Sequence, residues 1–163
     1  MAVTRLVGEC EKGTCATLYR VDGTGDLLVQ GYDTTDAETA GQEWSDEVRG
    51  NIDAGKRMYR VHIISRPMTD YLRFELGWGY QKNAKAGEEF FILDTTNQLN
   101  PLEGVPDFWM FDESSVVSMN YAEGGKFLGA ESHTSPAEWL ERRDVALSRA
   151  VPFADWWEQY GEV

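Results

Sequence analysis

Carboxylates on either side of an aromatic run are the first residues in this chain that could do chemistry. Asp107 precedes Phe108-Trp109-Met110-Phe111, and Asp112-Glu113 follow it. Paired carboxylates divide general-acid and general-base roles when their surroundings differ. The spacing works against a shared site, because an extended strand sets Asp107 and Asp112 on opposite faces and about 17 Å apart. These acids read as residues that end and turn a strand. The two cysteines, Cys10 and Cys15, and the two histidines, His62 and His133, are numerically enough for one tetrahedral zinc. The histidines lack the paired spacing of zinc sites, however. Two reduced thiols are the expected state, with a zinc site or a hairpin disulfide as alternatives, and no metal ligand is assigned. Gly23 and Gly25 make a turn, and Gly77-Trp78-Gly79 interrupts or ends a helix instead of opening one, so neither forms a phosphate cradle. The chain has no Gly-x-Ser-x-Gly elbow and no His-Glu-x-x-His pair. No catalytic residue and no cofactor are expected.

Charge points elsewhere. The 163 residues carry 28 acidic against 15 basic side chains, a formal net charge of −13. Such a surface repels nucleic-acid phosphates and makes a basic protein its natural electrostatic partner. The acidity concentrates between Asp33 and Asp53, where Asp36, Glu38, Glu43, Asp46 and Glu47 add to the two ends against a single base, Arg49. Ala37, Ala40, Trp44 and Val48 recur there at helical spacing, so the same stretch reads as an amphipathic helix with its acids turned to water. No run approaches the roughly 18 apolar residues of a membrane span, and the N-terminus lacks the apolar centre of a signal peptide, so a cytoplasmic protein is expected.

The elements that would position these residues follow from periodicity and turn chemistry. Thr14 to Val21 and Leu27 to Tyr32 read as a hairpin joined by Asp22-Gly23-Thr24-Gly25-Asp26. After the acidic helix, Arg57 to Ser65 reads as a strand with Val61 and Ile63 on one face and Arg60 and His62 on the other. Pro67 suits the first turn of a helix whose apolar residues, Tyr71, Leu72, Phe74 and Leu76, run to Gly77 or Gly79. A strand is expected at Glu89 to Asp94, then a polar loop from Thr95 to Pro106. The runs within Asp107 to Glu113, Val116 to Tyr121 and Gly124 to Gly129, separated by an acidic turn and by a double-glycine turn at Gly124-Gly125, read as three consecutive antiparallel strands. Ser135-Pro136-Ala137-Glu138 is a helix start of capping-box type, with that helix running to about Ala150. Pro152 then precedes an aromatic tail, Phe153, Trp156, Trp157 and Tyr160, at helical spacing. The fold class is therefore α+β, a mostly antiparallel sheet with packed helices, an N-terminal β-hairpin and a C-terminal helix. It divides into a hairpin element (1–33), an acidic helical connector (34–55) and a core domain (56–163).

Several of these segments resemble an uncharacterised actinobacterial family known only by a domain-of-unknown-function label. The resemblance rests on Arg66-Pro67-Met68-Thr69-Asp70-Tyr71-Leu72-Arg73-Phe74-Glu75, Ala86-Gly87-Glu88, Asp107-Phe108-Trp109-Met110-Phe111-Asp112, Gly125-Lys126-Phe127 and Arg143-Asp144-Val145-Ala146-Leu147, spanning roughly residues 56 to 157. Members of that family tend to be encoded beside helix-turn-helix regulators, which implies a role near transcription control. The N-terminal landmarks Cys10, Cys15, Tyr19, Asp22, Gly25 and Val29-Gln30-Gly31-Tyr32 resemble a second small actinobacterial element, with Ala16 standing where a proline is expected.

These strands of argument lead to a non-catalytic regulatory or interaction protein, an acidic partner of a helix-turn-helix transcription regulator. Its partner-binding residues would be Glu43, Asp46 and Glu47 from the acidic helix, with Trp156 and Trp157 from the tail. From a different class, a sensor for a small anionic ligand would use Arg60, His62 and Arg73 beside a sheet face bearing Trp109, Phe111 and Tyr121. A toxin-like enzyme is the third reading.

Overall fold

A computed structural model describes the backbone of residues 3–7, 17–21, 27–30, 37–122 and 127–161, and side chains from residue 44 onward within those limits. The element order is β1 (Val3–Val7), β2 (Thr17–Val21), β3 (Leu27–Gln30), α1 (Ala37–Asp53), β4 (Tyr59–Ile64), α2 (Asp70–Phe74), a π-helical segment (Glu75–Tyr80), α3 (Gln81–Ala86), β5 (Glu89–Asp94), β6 (Phe108–Phe111), β7 (Ser115–Tyr121), β8 (Phe127–His133), α4 (Ala137–Arg149), β9 (Val151–Pro152) and α5 (Phe153–Tyr160). Among the described residues the strands form three three-stranded sheets, ordered β1-β2-β3, β4-β5-β9 and β6-β7-β8. The fold is α+β and rich in antiparallel pairing. No helix among the described residues is long and apolar enough to cross a membrane.

The chain separates into two compact units that are not sequential segments. One combines residues 1–37 with 104–140, and the other combines 38–103 with 141–163. The three-part division expected from the sequence, with 56–163 as one core domain, cuts across both.

In the first unit β2 pairs antiparallel with β1 and with β3, the second being the pairing expected of the N-terminal hairpin. The turn at 22–26 lies outside the described residues. β6, β7 and β8 form an antiparallel meander, with Trp109 opposite Val117 and Val117 opposite Ser132. Asp112 and Glu113 make the β6–β7 turn. Both have positive φ, 49° and 57°, and the Ser114 amide donates to the Phe111 carbonyl at 3.0 Å. That left-handed pair matches the right-handed twist of the strands it joins. The double-glycine turn expected at Gly124-Gly125 lies outside the described residues. Val116, Val117 and Ser118 are buried, as is Trp139 at the start of α4.

The second unit is built on a parallel pair that the sequence reading did not anticipate. β4 and β5 run parallel in register, from Tyr59 opposite Glu89 to Ile64 opposite Asp94. Parallel neighbours need a crossover, and here the helical segment 70–86 supplies it. β9 adds antiparallel to the other edge of β5, pairing Ile92 with Val151. As the central strand, β5 buries Phe90, Ile92 and Leu93. The core gathers Ile64, Met68, Leu76, Tyr80, Phe90, Ile92, Phe153 and Trp156, with Leu72, Trp157 and Tyr160 packed against it.

The crossover departs from expectation at both ends. Pro67 does not open it: Thr69 is the N-cap, its side chain accepting from the Leu72 amide at 3.2 Å, and helix begins at Asp70. Gly77 and Gly79 do not end it either. The chain winds through both in the π-helical segment and continues to Gly87, whose φ of 109° closes α3 with its amide on the Ala84 and Asn83 carbonyls. Tertiary packing overrides the weak helix propensity of glycine here. A Cβ at position 77 would meet the Trp157 ring at 3.4 Å, an ordinary van der Waals distance, so this turn lies against α5.

Candidate functional site

The crossover presents two opposite faces. Leu72, Leu76 and Tyr80 follow one another at every fourth position and face the core, with Leu76 and Tyr80 buried. Tyr71, Phe74 and Trp78 occupy the other side and remain 69%, 54% and 38% exposed. The Phe74 and Trp78 rings stack with centroids 5.4 Å apart and planes 14° apart. The Lys82 ammonium lies 5.3 Å from the Trp78 centroid, extending the stack by a cation–π contact. Two apolar stripes on one helical segment mean that the core covers only one of them.

A polar cluster adjoins this segment on the sheet side. The Arg60 guanidinium, about a third exposed at 35%, pairs with Glu88 at 3.4 Å, while Glu88 is buried and also accepts from the Trp44 indole at 3.2 Å. Arg60 also lies 5.8 Å from the centroids of both Tyr80 and Phe90. Burial pushes the Glu88 carboxyl above its ordinary range, opposed by Arg60 and by the Trp44 donor. Glu75 is likewise raised by burial and pulled back by Arg60. His62 Nδ1 and the Tyr80 hydroxyl are 2.6 Å apart. Burial, then the nearby Arg60 charge, lower His62 to about 4, so at neutral pH the imidazole is uncharged and Nδ1 accepts from Tyr80. Burial raises the Tyr80 hydroxyl, which therefore stays a donor.

A second cluster ties α5 to the sheet. Asp94 Oδ2 accepts from Arg66 Nε at 2.8 Å and from the Trp156 indole at 3.0 Å, and Oδ1 accepts from the Thr96 amide at 2.9 Å and from its hydroxyl. The Arg66 guanidinium stacks 3.9 Å over the Tyr160 ring. Burial works against ionisation of Asp94, but the donors of Thr96, Trp156 and Arg66 outweigh it and hold the carboxyl below its usual range.

The expected site residues distribute unevenly over this framework. Asp46 is exposed and pairs with Arg49 at 3.1 Å, and Glu47 accepts from Asn51 at 3.1 Å. The Glu43 side chain lies outside the described residues. Trp156 does not stand on a surface: at 2% exposure it belongs to the core, and Trp157 is half-buried against the same cluster. The aromatic tail met an apolar sheet, which covers Trp156 and part of Trp157. Of the sensor residues, Arg60 and His62 share Tyr80, and Arg73 is exposed on α2. Trp109, Phe111 and Tyr121 belong to the other unit. Trp109 and Phe111 are half-buried on β6, and Tyr121 packs its ring edge against Phe127, with centroids 5.7 Å apart.

His133 bonds Ser118 at 2.8 Å in the first unit, while His62 bonds Tyr80 in the second. Cys10 and Cys15 lie outside the described residues. Among the described residues no group of three or more histidine, cysteine, aspartate or glutamate side chains is arranged to hold a metal ion.

The family model described as a domain of unknown function, DUF6879, matches residues 16–158. The chain belongs to this family. The DUF6879 match runs through β2, β3 and α1 into the remainder, so it takes in the N-terminal stretch from residue 16. Cys10 and Cys15 precede the match. No curated protein and no solved structure matches the chain.

Sequence reasoning missed the exposed column of Tyr71, Phe74 and Trp78, and it missed Asp94 and Glu88. The column had a signal. Tyr71, Phe74 and Trp78 keep a helical spacing offset from that of Leu72, Leu76 and Tyr80, so the segment was apolar on two sides.

Proposed function

We propose that this protein is a non-catalytic regulatory or interaction protein that engages a basic protein partner. The observation that carries this reading is the exposure of Tyr71, Phe74 and Trp78 on one side of a helical crossover whose other side fills the core. Aromatic side chains gathered on a surface are the usual anchors of protein interfaces. The net charge of −13 sets the sign of the partner and steers its approach. A helix-turn-helix transcription regulator has the required basic character, and it is the partner that the family resemblance implies. Asp46 on the outer face of α1 contributes to the long-range field more than to the contact, since Arg49 already neutralises it in part.

The alternative reading, a sensor for a small anion at Arg60 and His62, has less support. Glu88 occupies Arg60, and His62 is uncharged at neutral pH. It predicts a rise in melting temperature with some member of a panel of anionic metabolites.

Affinity purification of the tagged protein from an actinobacterial host, followed by mass spectrometry, tests the leading reading. A basic protein that stays bound at moderate salt and is lost at high salt supports it. Recovery of the bait alone rejects it.

A further inference from the structure

We infer that the Phe74–Trp78–Lys82 column is a socket for cationic side chains, with arginine preferred, on a basic segment of the partner. This deepens the interaction reading and rests on it. Three observations converge. The rings of Phe74 and Trp78 stack nearly parallel, 14° apart, and remain exposed, so the stacked pair offers a flat ring face as a platform and not a lone projecting side chain. A guanidinium is itself planar and weakly hydrated, and it stacks on such a platform where an ammonium only touches it. Lys82 already places its ammonium 5.3 Å from the Trp78 centroid, which shows that this ring face accepts a cation in the folded chain. With a net charge of −13 the occupant is cationic, and a second copy of the same chain meets like charge instead. Elsewhere in this unit the same chemistry is satisfied internally, with Arg66 over Tyr160 at 3.9 Å and Arg57 over Tyr59 at 4.8 Å.

The test uses the full chain with fluorescein-labelled octa-arginine and octa-lysine peptides, read by fluorescence anisotropy at moderate salt. The two probes carry equal charge, so net electrostatics alone predicts equal affinity. The socket predicts that octa-arginine binds several-fold tighter than octa-lysine. Phe74→Ala and Trp78→Ala should each weaken octa-arginine by roughly 3- to 30-fold and erase the preference. Lys82→Gln acts in the opposite direction: it vacates the Trp78 face and should tighten octa-arginine by roughly 2- to 5-fold, well beyond what one lost positive charge does for octa-lysine. Because its expected effect is a gain, misfolding cannot mimic it. Equal affinity for the two probes, or affinities unmoved by the aromatic variants, overturns the socket while leaving the broader partner reading to stand on the purification. Sedimentation of the chain alone gives the remaining outcome. A dimer that Trp78→Ala dissolves would assign the column to a second copy and overturn the proposal.

Discussion

Helix α5 and the crossover segment 70–86 each carry aromatic side chains at helical spacing, and the protein uses them in opposite ways. In α5, Phe153 and Trp156 are buried, and the Trp156 indole is tied to Asp94 at 3.0 Å. In the crossover, Tyr71, Phe74 and Trp78 are exposed, and only the Leu72–Leu76–Tyr80 side enters the core. The difference lies in what each aromatic stripe meets. The α5 stripe meets the apolar residues of β5 and a carboxylate that accepts a hydrogen bond from the Trp156 indole. The outer stripe of the crossover carries the Phe74–Trp78 stack with the Lys82 ammonium beside it and stays exposed among the described residues. Periodicity reports that a face is apolar, and a second element decides whether it is core.

The sharpest way to break this comparison is to truncate one tryptophan from each stripe. Trp156→Ala removes a large buried side chain and one donor to Asp94, and should lower unfolding free energy by about 3–5 kcal/mol in urea titration. Next in size is Asp94→Ala. It leaves Arg66, Trp156 and the Thr96 groups without their shared acceptor and should cost about 2–3 kcal/mol, with the loss largest above the ordinary carboxylate range. Because the folded pKa of Asp94 is depressed, the stability it contributes is present above the unfolded value of 3.8 and is lost as pH falls below it, so wild type and Asp94→Ala converge in acid.

His62 gives a separate window. Its folded pKa is depressed to about 4 from 6.5, so the unfolded chain takes up the proton first and stability is lost as pH falls from 6.5 towards 4. The loss is on the order of 2–3 kcal/mol across that window. His62→Gln should flatten this part of the profile when urea midpoints are compared at pH 7.5 and 4.5. The raised carboxyls of Glu75 and Glu88 pull the other way in both proteins and cancel in the comparison. The smallest effect belongs to the exposed stripe. Trp78→Ala should change stability by less than about 1 kcal/mol. A loss as large as that of Trp156→Ala would place the column in the core and remove its availability to a partner.

Much of the local structure was legible in the sequence because it is locally encoded. β5 spans Glu89–Asp94 as expected, the β6-β7-β8 meander follows its acidic turn, and α4 and α5 begin beside Pro136 and Pro152. What was not legible depends on contacts between distant segments. The parallel β4–β5 pairing is invisible in either strand alone, and the glycines at 77 and 79 looked like stops because of their weak helix propensity, while the Trp157 ring beside Gly77 lies 80 residues away in sequence. Asp94 looked like the last residue of a strand. Its role emerges only when Arg66, Thr96 and Trp156 converge on it. The acidic helix was read correctly as amphipathic, with Val48 buried and Asp46 exposed, but the indole of Trp44 turned out to serve Glu88.

The measurement that bears most directly on the account is a paired affinity purification of the wild-type chain and a Phe74→Ala/Trp78→Ala double variant from the same host at moderate salt. The account predicts a basic protein retained by the wild type and lost from the variant, while the two baits unfold at nearly the same urea concentration. The same basic protein on both baits would contradict it, and would move the interface away from the crossover.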